Sequence, residues 1–321
     1  MPRKIIIDTD PGIDDSMAIF YALNSPEIEL LGLTTIFGNA STEICTINAL
    51  RLLEIAGRSD IPVYKGAEKP ISSERRGSPE FVHGPDGQGN SNLSPPKTSV
   101  QNQTALEFLH KTIRDNPGEV TLVPIGPLTN IAELFIHDST IDQGIKEIIL
   151  MGGNAISEGN ATPTAEANII NDPEAADIVF SANCEISMVG LDVTNKVFMT
   201  KEEINILCQF DDPRSEHLKK IIPFYYDFLS SFFEKEGMPT HDSSAITYLI
   251  DRSLFRTLNY PIKVETEGIS RGKTWMGMGI SRNEGGPSER LKPWEGRKNV
   301  NVCVDVDAEK VISLILDRLS Y

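Results

Sequence analysis

Ile5-Ile6-Ile7-Asp8-Thr9-Asp10-Pro11-Gly12-Ile13-Asp14-Asp15 is the stretch from which the rest of the chain is read. Three consecutive β-branched residues have the composition of a short strand buried on both faces, as in a parallel sheet covered by helices. The apolar run then stops against four carboxylates within eight residues, with Pro11 and Gly12 forcing a tight turn among them. Like charges that close repel one another, so they either hold protons or recruit a cation. The turn lets Asp10 and Asp15 face a common point from either side. A donor set made only of oxygens selects a hard cation, calcium or magnesium. An acidic helix N-terminus would account for one or two of the four carboxylates and leaves the others unexplained.

Outward from this turn, β-branched runs alternate with helical stretches. That alternation predicts an α/β fold: a Rossmann-like, open, mostly parallel sheet flanked by helices. Strands are expected at residues 4–7, 29–35, 120–125, 145–151 and 186–190. Helices are expected at 15–23, 41–56, from 128, 173–180, 214–236 and 307–318. Pro223, inside the stretch 214–236, is expected either to kink that helix or to sit in a first turn. With no internal repeat and no low-complexity tract, residues 1–321 are read as a single domain. Residues 66–99 are rich in Gly, Pro, Ser and Asn and lack a period, and are expected to form a long mobile loop, a lid over the site.

In open α/β sheets, ligands gather at the carboxyl ends of the strands. The unusual residues of this chain fall at such ends: Asp8 and Asp10, Phe37-Gly38-Asn39, Ile125-Gly126-Pro127, and Met151-Gly152-Gly153-Asn154. Four separate motifs are therefore expected to converge on one rim.

A net charge of −16 argues against nucleic acid as a partner, because a phosphate backbone demands a basic face. Hydrophobic content of 40% and charged content of 24% are those of a soluble globular protein. Cys45, Cys184, Cys208 and Cys303 are widely spaced, which suits structural thiols rather than a disulfide framework or a zinc site. The N-terminus does not read as a signal peptide, and no apolar run approaches the ~20 residues of a membrane span. A cytoplasmic protein with no membrane partner is expected.

An apolar strand followed by D-x-D also opens the haloacid-dehalogenase-like phosphotransferases, where the first Asp is a nucleophile and magnesium assists. The first fifteen residues alone leave that rival open. Residues 8–15, however, closely resemble the D-T-D-x-G-x-D-D signature of the inosine/uridine-preferring nucleoside hydrolase family. Further matches run along nearly the whole chain: Thr34-Thr35-Ile36-Phe37-Gly38-Asn39, His83-Gly84-Pro85-Asp86-Gly87, Pro124-Ile125-Gly126-Pro127-Leu128-Thr129-Asn130 and Met151-Gly152-Gly153. They continue with Gly159-Asn160-Ala161-Thr162-Pro163-Thr164-Ala165-Glu166-Ala167-Asn168, Asn171-Asp172-Pro173-Glu174-Ala175-Ala176 and Thr240-His241-Asp242. The rival phosphotransferase has no support beyond the first motif.

The resemblance implies the nucleoside hydrolase fold and hydrolysis of the N-glycosidic bond of a ribonucleoside to ribose and free base. It implies Ca²⁺ held by Asp10, by both oxygens of Asp15, by the main-chain carbonyl of Ile125 and by Asp242, with Asp10 deprotonating a bound water. Such a base is typically worth about 10²–10⁴ in rate. Asp14, Asn39, Asn160, Glu166 and Asn168 would grip the ribose hydroxyls, and Met151 would lie against the sugar. His241 would serve the leaving base, with His83 on the loop as a second candidate. Residues 223–228 would shape the nucleobase pocket, and family members are usually homodimers or homotetramers. Two positions depart from the family pattern: Gln88 stands where Leu is usual, and Ala167 where Phe is common.

Overall fold

The computed structural model describes residues 2–278 and 292–320. Its main sheet is built from β1 (Arg3–Thr9), β2 (Ile28–Thr35), β3 (Val63–Lys65), β4 (Val120–Pro124), β5 (Glu147–Met151) and β6 (Ile186–Val189). The two-residue strands β7 (Phe198–Met199) and β8 (Met238–Pro239) pair with each other away from it. β9 (Phe255–Tyr260) rejoins the sheet, β10 (Ile262–Val264) and β11 (Thr274–Met276) form a separate hairpin, and β12 (Val300–Val306) completes the series. The eight strands lie in the order β3-β2-β1-β4-β5-β6-β12-β9, parallel throughout except for β9, which runs antiparallel on the edge.

Alternation along β1 decides the two layers that cover the sheet. Ile5 and Ile7 enter one core with Met17 and Phe20 of the helix Ile13–Leu23 and with Leu218, Ala245 and Val311. Ile6 enters the opposite core with Leu109, Ile131 and Val179. All of these side chains are sequestered from water. At roughly 25 cal/mol per Å² of apolar area, the two cores supply the main drive to fold. From β1 the chain winds outward through β2 to β3, then returns to β4 on the other side of β1. The strand order thus reverses between β1 and β4, and a crevice opens at their carboxyl ends.

The expected architecture is the observed one, with differences that have local causes. β1 continues through Asp8 and Thr9 because it is paired on both sides, Asp8 with Thr34 and Pro124, so the ladder outlasts the apolar run. Pro223 lies within one continuous helix, Pro213–Phe232, and it is Pro213 that occupies the first turn, behind the Asp212 cap. The helix His241–Ile250 is an addition to the expected elements; nine of its ten residues are buried, the polar His241, Asp242, Ser243, Ser244 and Thr247 among them, so its polar and apolar residues do not sort into the two faces that mark a helical period. The helix Ala105–Asp115 had a legible start, a capping box between Thr104 and Glu107. Residues 66–99 are not structureless: they contain the helix Glu80–His83. Among the described residues no helix is long and apolar enough to cross a membrane, and the four cysteines are free.

Phe20 is fully buried where the helix Ile13–Leu23 meets the sheet and the ring of His217. Phe20→Ala should cost about 3–5 kcal/mol of stability. Chemical denaturation measures this, and an unchanged midpoint would show that this interface does not carry the fold.

Candidate active site

Asp10 follows β1 directly and is held between two strand-end turns. A Cβ on Gly38 would lie 2.0 Å from its Oδ2, and one on Gly126 would lie 2.5 Å from its Oδ1. No side chain fits at either position, so the turns after β2 and β4 close on the carboxylate only as glycines. The Asn39 backbone N–H donates to Asp10 Oδ2 at 2.7 Å, while Oδ1 is buried without a partner. Asp15, in the first turn of the helix Ile13–Leu23, accepts from Thr9 Oγ1 (2.5 Å), Gly12 N (3.0 Å) and Asn39 Nδ2 (3.0 Å). Asp14 accepts from the Tyr225 hydroxyl at 3.1 Å through Oδ2, and its Oδ1 is also partnerless. Asp242 arrives from the first turn of the helix His241–Ile250.

One carboxylate oxygen each of Asp14, Asp15 and Asp242 lies within 4.8 Å of the others, close enough for a shared cation. This trio differs from the implied ligand set in including Asp14 rather than Asp10. The unpaired oxygens of Asp10 and Asp14 and the all-oxygen donors fit a hard divalent ion. The Ile125 carbonyl, at the carboxyl end of β4, accepts from Asn168 Nδ2 at 2.9 Å.

A cavity of about 300 Å³ opens beside these groups, lined by Asp14, Asn39, His83, Met151, Glu166 and Asp242 among others, while Asp10 and Asp15 lie behind that lining. Ile125, Asn160, Asn168 and His241 also face it. Asn168 bridges the Ile125 and Met151 carbonyls. Glu166 caps the helix Ala167–Asn171, accepting from Gly153 N, Asn168 N and Ile169 N. Asn160 Oδ1 accepts from Ala167 N at 3.0 Å. Opposite, Tyr225 and Phe228 project from the helix Pro213–Phe232, His83 stacks on Tyr225 with ring centroids 5.3 Å apart, and Phe81 meets Phe228 edge-on. The aromatic stretch 223–228 thus divides between core and pocket, with Phe224 and Tyr226 packed against the core and Tyr225 facing Asp14.

Asp8 does not reach the cavity lining. It accepts from Thr34 Oγ1 (2.5 Å) and Asn130 Nδ2 (2.7 Å), tying β1 to β2 and to the helix Thr129–His137. Sequence reading assigned no role to Asn130, Thr9 or Thr194, whose hydroxyl lies 2.8 Å from His241 Nδ1. Asn130 closes the motif Pro124-Ile125-Gly126-Pro127-Leu128-Thr129-Asn130, but its partner Asp8 lies 122 residues away, beyond any local pattern.

Burial sets the titration of the whole cluster. It drives Asp10 and Asp242 well above the usual carboxylate range, and the neighbouring aspartates add to this. Asp15 is pushed up to about 6 and Asp8 to about 7, again chiefly by burial. The same burial lowers His83 and His241 to about 4, so both rings are neutral at physiological pH. His83 Nδ1 accepts from Ile13 N at 3.2 Å and therefore carries its proton on Nε2.

A reversal point in a parallel sheet, crowded with buried carboxylates and opening on an aromatic-walled cavity, is where an α/β enzyme binds a small ligand. The family model described as inosine-uridine preferring nucleoside hydrolase matches residues 5–313. A probable uridine nucleosidase 2 of Arabidopsis thaliana is 44% identical over 318 residues, covering 99% of this chain and 97% of the relative. A solved plant nucleoside hydrolase superposes with a TM-score of 0.95 at 38% identity, covering 100% of this chain and 99% of that one. A solved purine-preferring ribonucleoside hydrolase from Gardnerella vaginalis gives 0.90 at 31% identity, covering 99% and 98%. The chain belongs to the inosine-uridine preferring nucleoside hydrolase family. It is a hydrolase of N-glycosyl compounds, cleaving ribonucleosides to ribose and free base.

Without a cation these carboxylates make stability fall as pH rises. Unfolded aspartates near 3.8 have already lost their protons, whereas the buried ones retain them, so the native state binds more protons and loses stability as they leave. The buried histidines are neutral above about pH 6.5 and add nothing there. In chelator, the melting temperature should therefore drop between about pH 6.5 and about pH 8, and a divalent cation should restore it most at the upper end. A melting temperature that stays level or climbs over that interval would contradict this electrostatic picture.

Proposed function

We propose that the chain hydrolyses uridine and related ribonucleosides with calcium at the carboxylate rim, Asp10 acting as the general base. The observation that carries this reading is the convergence of Asp14, Asp15 and Asp242 within reach of one ion beside an aromatic-walled cavity, with Asp10 tied to Asp15 through Asn39. Preference for uridine rests on the 44% identity to the plant uridine nucleosidase, against 31% to the purine-preferring enzyme. Asp15, Asp242, Asp10 and the Ile125 carbonyl would hold Ca²⁺, a mixed carboxylate and carbonyl set of the kind calcium accepts. When bound, calcium supplies positive charge that keeps the carboxylates ionised and acidifies a water.

Asp10, ionised in that state, takes the proton of the attacking water at Oδ1, the oxygen with no other partner. Asp14, Asn39, Asn160, Glu166 and Asn168 grip the ribose hydroxyls, since carboxylates and amides can match groups that both donate and accept. Glu166 is preorganised for this by three backbone N–H donors. Met151 packs against the sugar as C1′ gains positive charge. The base lies among His83, Tyr225 and Phe228. Neutral His241 donates a hydrogen bond through Nε2 as negative charge grows on the departing base, with Nδ1 engaged by Thr194. The chain works as one domain, as a cytoplasmic homodimer or homotetramer, and the 66–99 loop serves as a lid.

Product analysis on uridine, inosine, cytidine and adenosine, with and without chelator, tests the reading. Base release from uridine that calcium restores after chelation is expected; no release from any nucleoside with calcium present would sink it. Asp10→Asn should fold normally and lose about 10²–10⁴ in kcat. An Asp10→Asn enzyme with wild-type kcat would remove Asp10 as the base.

A further inference from the structure

Gln88 is buried to 1% exposure at a point where three parts of the active site meet. Its Nε2 lies 2.9 Å from Gly12 O, 3.2 Å from Pro11 O and 3.1 Å from Ser16 Oγ, all in the turn that carries Asp10, Asp14 and Asp15. Its Oε1 lies 2.9 Å from His217 Nε2, on the helix Pro213–Phe232 that also carries Tyr225 and Phe228. An amide oxygen only accepts, so His217 donates from Nε2 and leaves Nδ1 unprotonated and without a partner. Only a side chain that donates at one end and accepts at the other serves both neighbours.

The segment that Gln88 belongs to is folded on itself, Gly89 N donating to His83 O at 2.8 Å and Gly87 N to Gly84 O at 3.1 Å. Its remaining anchors reach the same two elements. His83 accepts from Ile13 N and stacks on Tyr225, and Phe81 meets Phe228. We propose that Gln88 is a positioning residue, a polar latch that docks the 80–90 segment onto the carboxylate turn and onto the pocket helix together. The latch sets His83 and Tyr225 at the spacing that receives the base and keeps Tyr225 on Asp14. This rests on the nucleoside hydrolase reading for its kinetic consequence, although the docking itself does not.

Loss of Gln88 leaves the turn's carbonyls paired. Pro11 O still accepts from Asn48 Nδ2, and Gly12 O from Ser16 N and Ser16 Oγ. The orphan is His217 Nε2–H. Gln88→Leu is therefore expected to fold, to raise KM for the nucleoside about 10-fold, and to change kcat by less than about 3-fold, the pattern of lost binding rather than lost chemistry. His217→Phe should raise KM in the same direction, and the double variant should be no worse than Gln88→Leu alone. Amide hydrogen exchange on the full-length, calcium-loaded protein should accelerate in residues 80–90 of Gln88→Leu and stay as in wild type across 13–23. Wild-type KM and exchange in Gln88→Leu, or additive effects in the double variant, would overturn the latch. If Gln88→Leu does not fold, His217→Phe carries the same two measurements. Absence of base release by the wild type would count against the hydrolase reading, while accelerated exchange in the variant would still support the latch.

Discussion

Burial of several carboxylates at one point is the constraint on which the rest of this structure depends. Asp8, Asp10, Asp14, Asp15 and Asp242 are drawn into a region with little water, where each ionised form is penalised by burial and most are penalised again by their neighbours. The fold meets part of that cost with donors: Thr9, Gly12 and Asn39 on Asp15, Asn39 on Asp10, Tyr225 on Asp14, Thr34 and Asn130 on Asp8. It leaves one oxygen each of Asp8, Asp10 and Asp14 unmatched. These donors carry no formal charge, so the cluster as a whole stays short of positive charge, which is what a divalent cation would supply.

Sheet topology explains how this cluster is assembled from distant segments. The strand order reverses beside β1, so the turns after β1, β2 and β4 meet at one end of the sheet. Gly38 and Gly126 permit that meeting because a side chain at either would strike Asp10. The opposite wall comes from elements that are not strands. The helix Pro213–Phe232 brings the aromatic rings, the helix His241–Ile250 brings Asp242 and His241, and the 80–90 segment brings His83 between them. The carboxylate cluster thus joins the sheet-end turns to the first turns of two helices, and the aromatic wall is helix and loop held to it by a few polar contacts.

Much of this was legible in the chain itself. Ile5-Ile6-Ile7 followed by four aspartates marks a buried strand and its rim, and the G-N, I-G-P and M-G-G turns mark the other strand ends. The residues expected at the site, from Asp10 and Asn39 to Glu166, Asn168, His241 and Asp242, do gather around the cluster and its cavity. What escaped were elements without a local signature, such as the helix His241–Ile250, and polar contacts between segments, such as Asn130 with Asp8. Gln88 was visible only as a departure from a pattern; its neighbours Ser16 and His217 lie 72 and 129 residues away.

The division has a physical basis. Hydrophobic period, turn residues and the chemistry of a donor set are properties of neighbours along the chain, and they gave the central strands of the sheet, its rim and the expectation of a hard cation. The ribonucleoside came from the resemblance of the motifs, and the strands β3, β9 and β12 were not expected. Which oxygens of Asp10 and Asp14 stay unpaired, which carboxylates crowd within reach of one ion, and which nitrogen of His83 bears its proton are properties of neighbours in space. They depend on burial and on donors from remote segments, and only the tertiary structure decided them.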